Sequence, residues 1–280
     1  MFSSFMFTPA DRLNDNTLSH CADADVLVVD LEDSIHFSAK SQARSIVANF
    51  DFSVFTEAGM ACGIRINALS SLDGIEDIKL IAELYRRNQC QLKYVFIPKV
   101  NNHNEVKLYR ELFNELTPAP LIISIIETCE AIEDLNAIAQ YSDALILGQA
   151  DLSAQMYTPN EHFIAFARAK LCIAAAQHNI PAIDTNSFEL TDMNKLKQES
   201  LAAKREGFMG KAVIHPKQVS TVNEVFTVDE AEIAQFKSSI NDYNQASKGF
   251  VIKNGNVIAP PFVAKAKKVL AFMSANNLSK

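Results

Sequence analysis

Glycine is scarce in this chain. Only eight occur among 280 residues, and none falls in a GxGxxG or GxxxxGKS/T arrangement. A phosphate-cradling turn needs glycines that let the backbone close around the phosphate, so nucleotide binding is a weak reading. Cysteines Cys21, Cys62, Cys90, Cys129 and Cys172 are odd in number, far apart and in no CxxC pair. They read as reduced thiols of a cytoplasmic protein rather than as a disulfide frame, a zinc site or a redox centre. No serine sits in a GxSxG elbow. No apolar run approaches the roughly 18 residues of a membrane span. The opening MFSSFMFTPADR has no basic start and no small-residue cleavage pattern, so it does not read as a secretory signal. A net charge of −7 leaves no basic face, and nucleic acid is not an expected partner. Internal repeats, low-complexity segments and long linkers are also missing.

What is present is an alternation. Short apolar runs recur at 5–9 (FMFTP), 26–33 (VLVVDLED), 62–67 (CGIRIN), 94–99 (YVFIPK), 121–127 (LIISIIE), 144–148 (ALILG), 180–184 (IPAID) and 212–216 (AVIHP). Several are continuously apolar, the mark of strands buried on both faces. The segments between them have helical spacing. Ile75, Ile78, Ile81, Leu84 and Tyr85 share one face after the third run. Val106, Tyr109, Leu112, Phe113 and Leu116 share another after the fourth. Gly207 marks a helix stop, Gly210 opens the next strand, and Pro216 suits a first helical position. Eight strand–helix units give the count of a closed (β/α)₈ barrel, expected over residues 1–228. A C-terminal extension over 229–280 follows. It holds a helical stretch at 229–247, a VIKNGNVI hairpin turning at Asn254-Gly255 and a last helix from Pro261 to Asn276. Such an extension suits a lid, or an arm over a neighbouring subunit.

A barrel does its chemistry at the C-terminal ends of its strands. Those ends are polar here. Arg12 follows the first run, and Asp30, Glu32 and Asp33 close the second. Arg65 and Asn67 end the third, Lys99 the fourth and Glu127 the fifth. Asp151 lies just past the sixth, Asp184 ends the seventh and His215 the eighth. Carboxylates from separate strands suit a hard cation such as Mg²⁺, with positions left for water and substrate. Glu127 and Asp151 either converge on one such ion or cap the helices that follow, since Thr128 and Asp151 both sit at plausible helix starts. Arg65, between two apolar residues, needs a partner. That partner is a substrate carboxylate or a neighbouring acid of the 30–33 cluster. Lys99, among so many acids, reads as an ion-paired cation rather than a Schiff-base lysine. His215 reads as a cap, and the other five histidines as surface or loop residues.

In their order along the chain, FMFTPADR, VVDLEDSIHFSAKSQAR, IRIN, FIPK, IIET, LGQAD, AIDTNSFELTD and GFMGKAVIHPKQV resemble the citrate lyase β-subunit-like proteins of the HpcH/HpaI aldolase superfamily. The likeness spans nearly the whole length and includes Lys40 and Arg44. The resemblance implies a barrel that assembles into trimers, hexamers or other homo-oligomers. It implies Mg²⁺, or Mn²⁺ in its stead, held at Glu127 and Asp151. Arg65 would take the oxo-acid end of a small acidic substrate or CoA thioester, with Arg12 nearby. Asp30, Glu32, Asp33 and Lys99 would support those groups. The implied chemistry is a reversible retro-Claisen or retro-aldol cleavage. One departure bears on it. Where acyl-CoA lyases carry a GxMxD-like stretch ending in an acid/base aspartate, this chain has Gly255-Asn256-Val257-Ile258-Ala259. Ala150 likewise fills a position that is often acidic in relatives. The alternatives are a protein that binds an oxo-acid or CoA ester without turnover, and a subunit of a citrate-lyase-like complex.

Overall fold

The structure, a computed structural model, describes residues 3–14, 16–17, 21, 23–87, 92–246, 249–253 and 255–275. Eight parallel strands close on themselves: β1 (Ser4–Pro9), β2 (Val26–Asp30), β3 (Ala61–Arg65), β4 (Leu92–Ile97), β5 (Leu121–Ile126), β6 (Ala144–Leu147), β7 (Ala182–Asp184) and β8 (Gly210–Val213). Neighbours in sequence are neighbours in space, and β8 returns to β1 through Phe5 opposite Ala212. Helices Lys40–Asn49, Leu72–Arg86, His103–Phe113, Leu135–Tyr141, Glu161–His178 and Met193–Glu206 lie between the strands, and Pro216–Phe226 follows β8. The expected (β/α)₈ barrel is the observed one.

Alternation along each strand sorts side chains into two layers. Phe5, Val26, Val28, Tyr94, Phe96, Ile123, Ile125, Ile146, Ile183 and Ala212 pack together in the lumen. Their strand neighbours Leu27, Val29, Ile64, Val95, Ile122 and Leu145 pack outward with helix residues such as Val47, Ile81, Val106 and Leu171. Both layers exclude water, which is why the strands read as continuous apolar runs. The same alternation carries Asp30, Glu127 and Gly148 to the mouth of the lumen, two residues beyond Val28, Ile125 and Ile146.

Local signals set the boundaries. Gly207 ends Met193–Glu206 at φ 113, a left-handed conformation that favours glycine. Asp192 caps the start of that helix by accepting two backbone N–H groups. Pro216 is the first residue of its helix. Two helical faces differ from the sequence pattern. Ile75 and Leu112 are each 41% exposed. The buried face of Leu72–Arg86 runs instead through Gly74, Asp77, Leu80, Ile81 and Leu84. Apolar spacing missed Asp77, a fully buried acid held by Asn67 and Arg44.

Residues Phe2–Phe226 form one compact unit and Thr227–Lys280 belong to another. The second unit holds helix Glu230–Asn244, the antiparallel pair β9 (Val251–Lys253) and β10 (Asn256–Ile258), and helix Pro260–Ala275. The last helix starts one residue before the expected Pro261. Asn254 and Asn276 lie outside the described residues. Ala259 sits at the start of that helix, its carbonyl accepting the N–H groups of Phe262 and Val263. Among the described residues no helix is long and apolar enough to cross a membrane.

Candidate active site

A cavity of about 250 Å³ opens where the barrel strands end. Phe7, Ile125, Ile146, Ala212 and Ile214 make its apolar lining. Arg12, Asp30, Ser34, Arg65, Glu127, Gln149, Asp151 and Asn186 supply polar groups. A larger cleft adjoins it, with Gln149 and Asn186 lining both.

Arg65 and Asp30 occupy paired positions on β3 and β2. The guanidinium donates from Nε to Asp30 Oδ1 at 2.7 Å and from Nη2 to Oδ2 at 2.5 Å. Its Nη1 lies 2.8 Å from Glu32 Oε2, a buried oxygen with no hydrogen bond of sound geometry. Of the two sequence options for Arg65, the structure therefore contains the neighbouring-acid pair. The guanidinium still lines the cavity, with hydrogens left on Nη1 and Nη2. Burial works to raise the Asp30 carboxyl, but the hydrogen bonds and charge of Arg65 outweigh it and hold the group below its usual range. Burial, opposed by Arg65 and reinforced by Asp33, leaves the Glu32 carboxyl above its usual range.

Glu127 follows β5 and is 2% exposed. Its Oε1 accepts the backbone N–H of Lys99 at 2.7 Å. Lys99 reaches this position with φ 52, a left-handed conformation that typically costs a non-glycine residue about 1–3 kcal/mol. On the other side Glu127 leans on Gly148. A Cβ at residue 148 would lie 2.5 Å from Glu127 Cβ and 2.6 Å from Oε2. Only glycine leaves that space. Asp151 lies in the first turn of the helix Gln149–Ala154, which has no side-chain cap. Asp151 is thus not a cap, whereas Thr128 does cap its helix, accepting from Ala131. Lys99 Nζ lies 2.9 Å from Asp151 Oδ1 and 3.9 Å from Glu127 Oε1. Both carboxylates therefore face one ammonium.

The loop carrying Glu32 and Asp33 is braced from below. Lys40 Nζ donates to the carbonyls of Leu31 and Glu32 and to Asn67 Oδ1. Asn67 itself bonds Asp77 and Leu31, so it belongs to this support and not to the cavity wall. Asp184 also departs from its expected place. Ile183 faces the lumen, so Asp184 faces the helix layer, bonded to Lys211 at 2.5 Å and Arg168 at 2.7 Å. His215 accepts the N–H of Lys217, as a cap does. Ser34, Gln149, Asn186 and Gly148 were not singled out from the sequence. The first three are uncharged, and their only signal is a place just beyond strand ends.

The donor set suits a hard divalent cation. Mg²⁺ takes one or two protein carboxylates and fills its other positions with water or substrate oxygens. Among the described residues no three His, Cys, Asp and Glu side chains gather as a ligand set; Glu127 and Asp151, which both line the cavity and both face Lys99, are the pair that would hold such an ion. Charge supports the fit. Burial, then the nearby Glu32 carboxylate, pushes Glu127 up to about 8, although Lys99 opposes them. The single charge of Lys99 does not offset burial and the neighbouring acid, and a divalent ion would add the charge that favours the ionised form.

The family described as HpcH/HpaI aldolase/citrate lyase matches residues 3–216, and one described as C-C_Bond_Lyase of the TIM-Barrel fold matches 172–271. The mitochondrial citramalyl-CoA lyase of Mus musculus is 26% identical over 276 residues, covering 90% of this chain and 80% of its own. Citrate lyase subunit beta of Leuconostoc mesenteroides subsp. cremoris is 27% identical over 275 residues, covering 91% and 87%. Among solved structures, RipC from Yersinia pestis has 33% identity and a TM-score of 0.69, over 83% of this chain and 98% of its own. CitE from Mycobacterium tuberculosis, in complex with magnesium, acetoacetate and coenzyme A, shares the fold. Its TM-score is 0.75 at 22% identity, over 96% of this chain and 97% of its own.

Proposed function

This chain belongs to the HpcH/HpaI aldolase/citrate lyase family, and we infer that it is a carbon–carbon lyase of the citrate lyase β type acting on a small acidic oxo-acid or 3-hydroxyacyl compound. One observation carries the reading. Two carboxylates, Glu127 and Asp151, converge beside an apolar cavity whose rim holds the Arg12 and Arg65 guanidiniums. Glu127 and Asp151 would hold Mg²⁺. When bound, that ion supplies Lewis-acid polarisation of the substrate's oxygen atoms.

The remaining chemistry belongs to the protein's own groups. Arg12 is exposed and lies at the rim, suited to an anionic end of the substrate. Arg65, fixed by Asp30 and Glu32, presents a positioned positive charge to the negative charge that grows as the carbon–carbon bond breaks. The apolar part of the lining lowers the local polarity around both interactions and strengthens them. A thioester substrate would extend beyond the small cavity, and the adjoining cleft offers room for its remainder.

Ala259 bears on the proton transfer. A missing acid/base group typically costs about 10²–10⁴-fold in rate. We therefore favour a substrate whose cleavage draws its proton from water or from its own functional groups. A second reading rests on the same alanine: an oxo-acid or CoA-ester sensor without turnover. Assembly as a homotrimer or hexamer is part of the proposal. Light scattering on the purified chain tests it.

Calorimetry with oxaloacetate, pyruvate and glyoxylate, paired with a product assay on their aldol and acyl adducts, tests the lyase reading. Turnover should need a divalent cation and vanish in Glu127→Gln and Asp151→Asn without loss of fold. Full activity in EDTA overturns it. Tight binding with no product across the panel favours the sensor.

A further inference from the structure

Both carboxylates assigned to the metal face a cation the protein already owns. Lys99 Nζ lies 2.9 Å from Asp151 Oδ1, 3.1 Å from Asp33 Oδ2, 3.3 Å from Glu32 Oε1 and 3.9 Å from Glu127 Oε1. Four acids share this ammonium. Of the four, Arg65 meets only Glu32 at ion-pair distance, through Nη1 at 2.8 Å, while its Nε and Nη2 are engaged by Asp30.

Charge and mobility then decide what happens when a divalent ion arrives. An ammonium carries a single charge on a flexible four-carbon stem. Mg²⁺ carries two and approaches carboxylate oxygens to about 2.1 Å. Two cations at such short separation from the same oxygens repel strongly outside bulk water. The Lys99 side chain is 36% exposed, so solvent lies open on one side of it. Its main chain is held separately, at φ 52 with the N–H on Glu127 Oε1. An outward swing of the ammonium would therefore leave the backbone's grip on Glu127 in place.

We propose that Lys99 is a tethered counter-cation that neutralises the acid cluster in the metal-free protein and must be displaced for a divalent ion to bind. It thereby lowers and sets the site's metal affinity. The inference rests on Glu127 and Asp151 being the metal ligands. It separates from a purely supporting role by sign. A lysine that only positions the ligands weakens metal binding when removed, whereas a competitor strengthens it.

Mn²⁺ titration of the full chain, followed by electron paramagnetic resonance of the free ion and by calorimetry, reads that sign directly. Lys99→Met should bind Mn²⁺ about tenfold more tightly or better, from the charge removed. In metal-free buffer it should melt at a lower temperature than the parent, and saturating Mn²⁺ should close that gap. Lys99→Arg, which keeps the charge, should stay near the parent. Lys99→Gln replaces the methionine variant if the latter fails to fold. Affinity that is unchanged or weaker in a folded, uncharged variant overturns the proposal. Binding that disappears in Glu127→Gln but is unaltered in Lys99→Met defeats this inference alone. No binding by the parent, or undiminished binding by Glu127→Gln, defeats the metal reading and this inference with it.

Discussion

Arg65 and Asp30 meet in two parallel hydrogen bonds across neighbouring strands, at one level of the barrel wall. The acid is 2% exposed and the guanidinium side chain 15%. Removing one partner of a buried pair leaves the other uncompensated, typically at a cost of about 3–5 kcal/mol. Asp30→Ala should lower unfolding free energy by that order in urea titration. Arg65→Lys should also destabilise, because an ammonium does not reproduce the fork. A loss below about 1 kcal/mol in Asp30→Ala contradicts the pair's structural role.

Gly148 should accept no larger residue without moving Glu127. In Gly148→Ala the new methyl would meet Glu127 at 2.5–2.6 Å, and overpacking of this kind costs about 1–3 kcal/mol. Mn²⁺ affinity should fall while circular dichroism stays native. Parent-like affinity in a folded variant would show that Glu127 has room to spare.

Lys40 is a nearly buried lysine whose ammonium serves two carbonyls and one amide oxygen. Lys40→Met keeps much of the stem and strips those donors. Each buried acceptor left bare costs about 1–3 kcal/mol. The variant should unfold at lower denaturant, and the loop bearing Glu32 and Asp33 should exchange its amides faster. Parent-like exchange in that loop would refute the brace.

The metal-free protein should prefer mildly acid solution. Glu127 titrates near 8 when folded, against an ordinary value of 4.5, because it is buried and beside Glu32. Folding thus favours its protonated form. That contribution is complete below pH 4.5 and is lost as pH rises through about 8. Glu32 shifts in the same direction. Asp30 shifts the opposite way, so its contribution is present above the unfolded value of 3.8 and lost on acidification. Thermal melts in EDTA should therefore peak between these limits and decline from pH 5 towards pH 8.5, with Mg²⁺ restoring the loss. A melting temperature that climbs steadily over that range speaks against the shift.

Strand order and count were legible because strands covered on both faces are apolar throughout, and Gly207 and Pro216 marked helix ends by their own backbone chemistry. Parity was less legible. In a run without polar alternation, nothing in the letters says that Ile183 faces inward and Asp184 outward. The acids and bases gathered at the cavity were visible as charges at strand ends. Their pairings were not, since Arg65 had three candidate acids and the register chose among them. Asp77, and the supporting place of Asn67, were invisible for a different reason. Buried polar groups that satisfy one another look, in sequence, like exposed ones.

The lumen's alternation also governs how such a sequence drifts. β7 has three residues, and β6 and β8 have four each. Point substitutions within such strands leave the inward and outward sets unchanged. A single inserted codon between Ile125 and Glu127 would exchange them, turning the carboxylate towards the helices and an apolar chain towards the cavity. A substitution in the wall thus perturbs one side chain, whereas a change of length there re-aims every residue beyond it, and only the loops absorb such a change without re-aiming a strand.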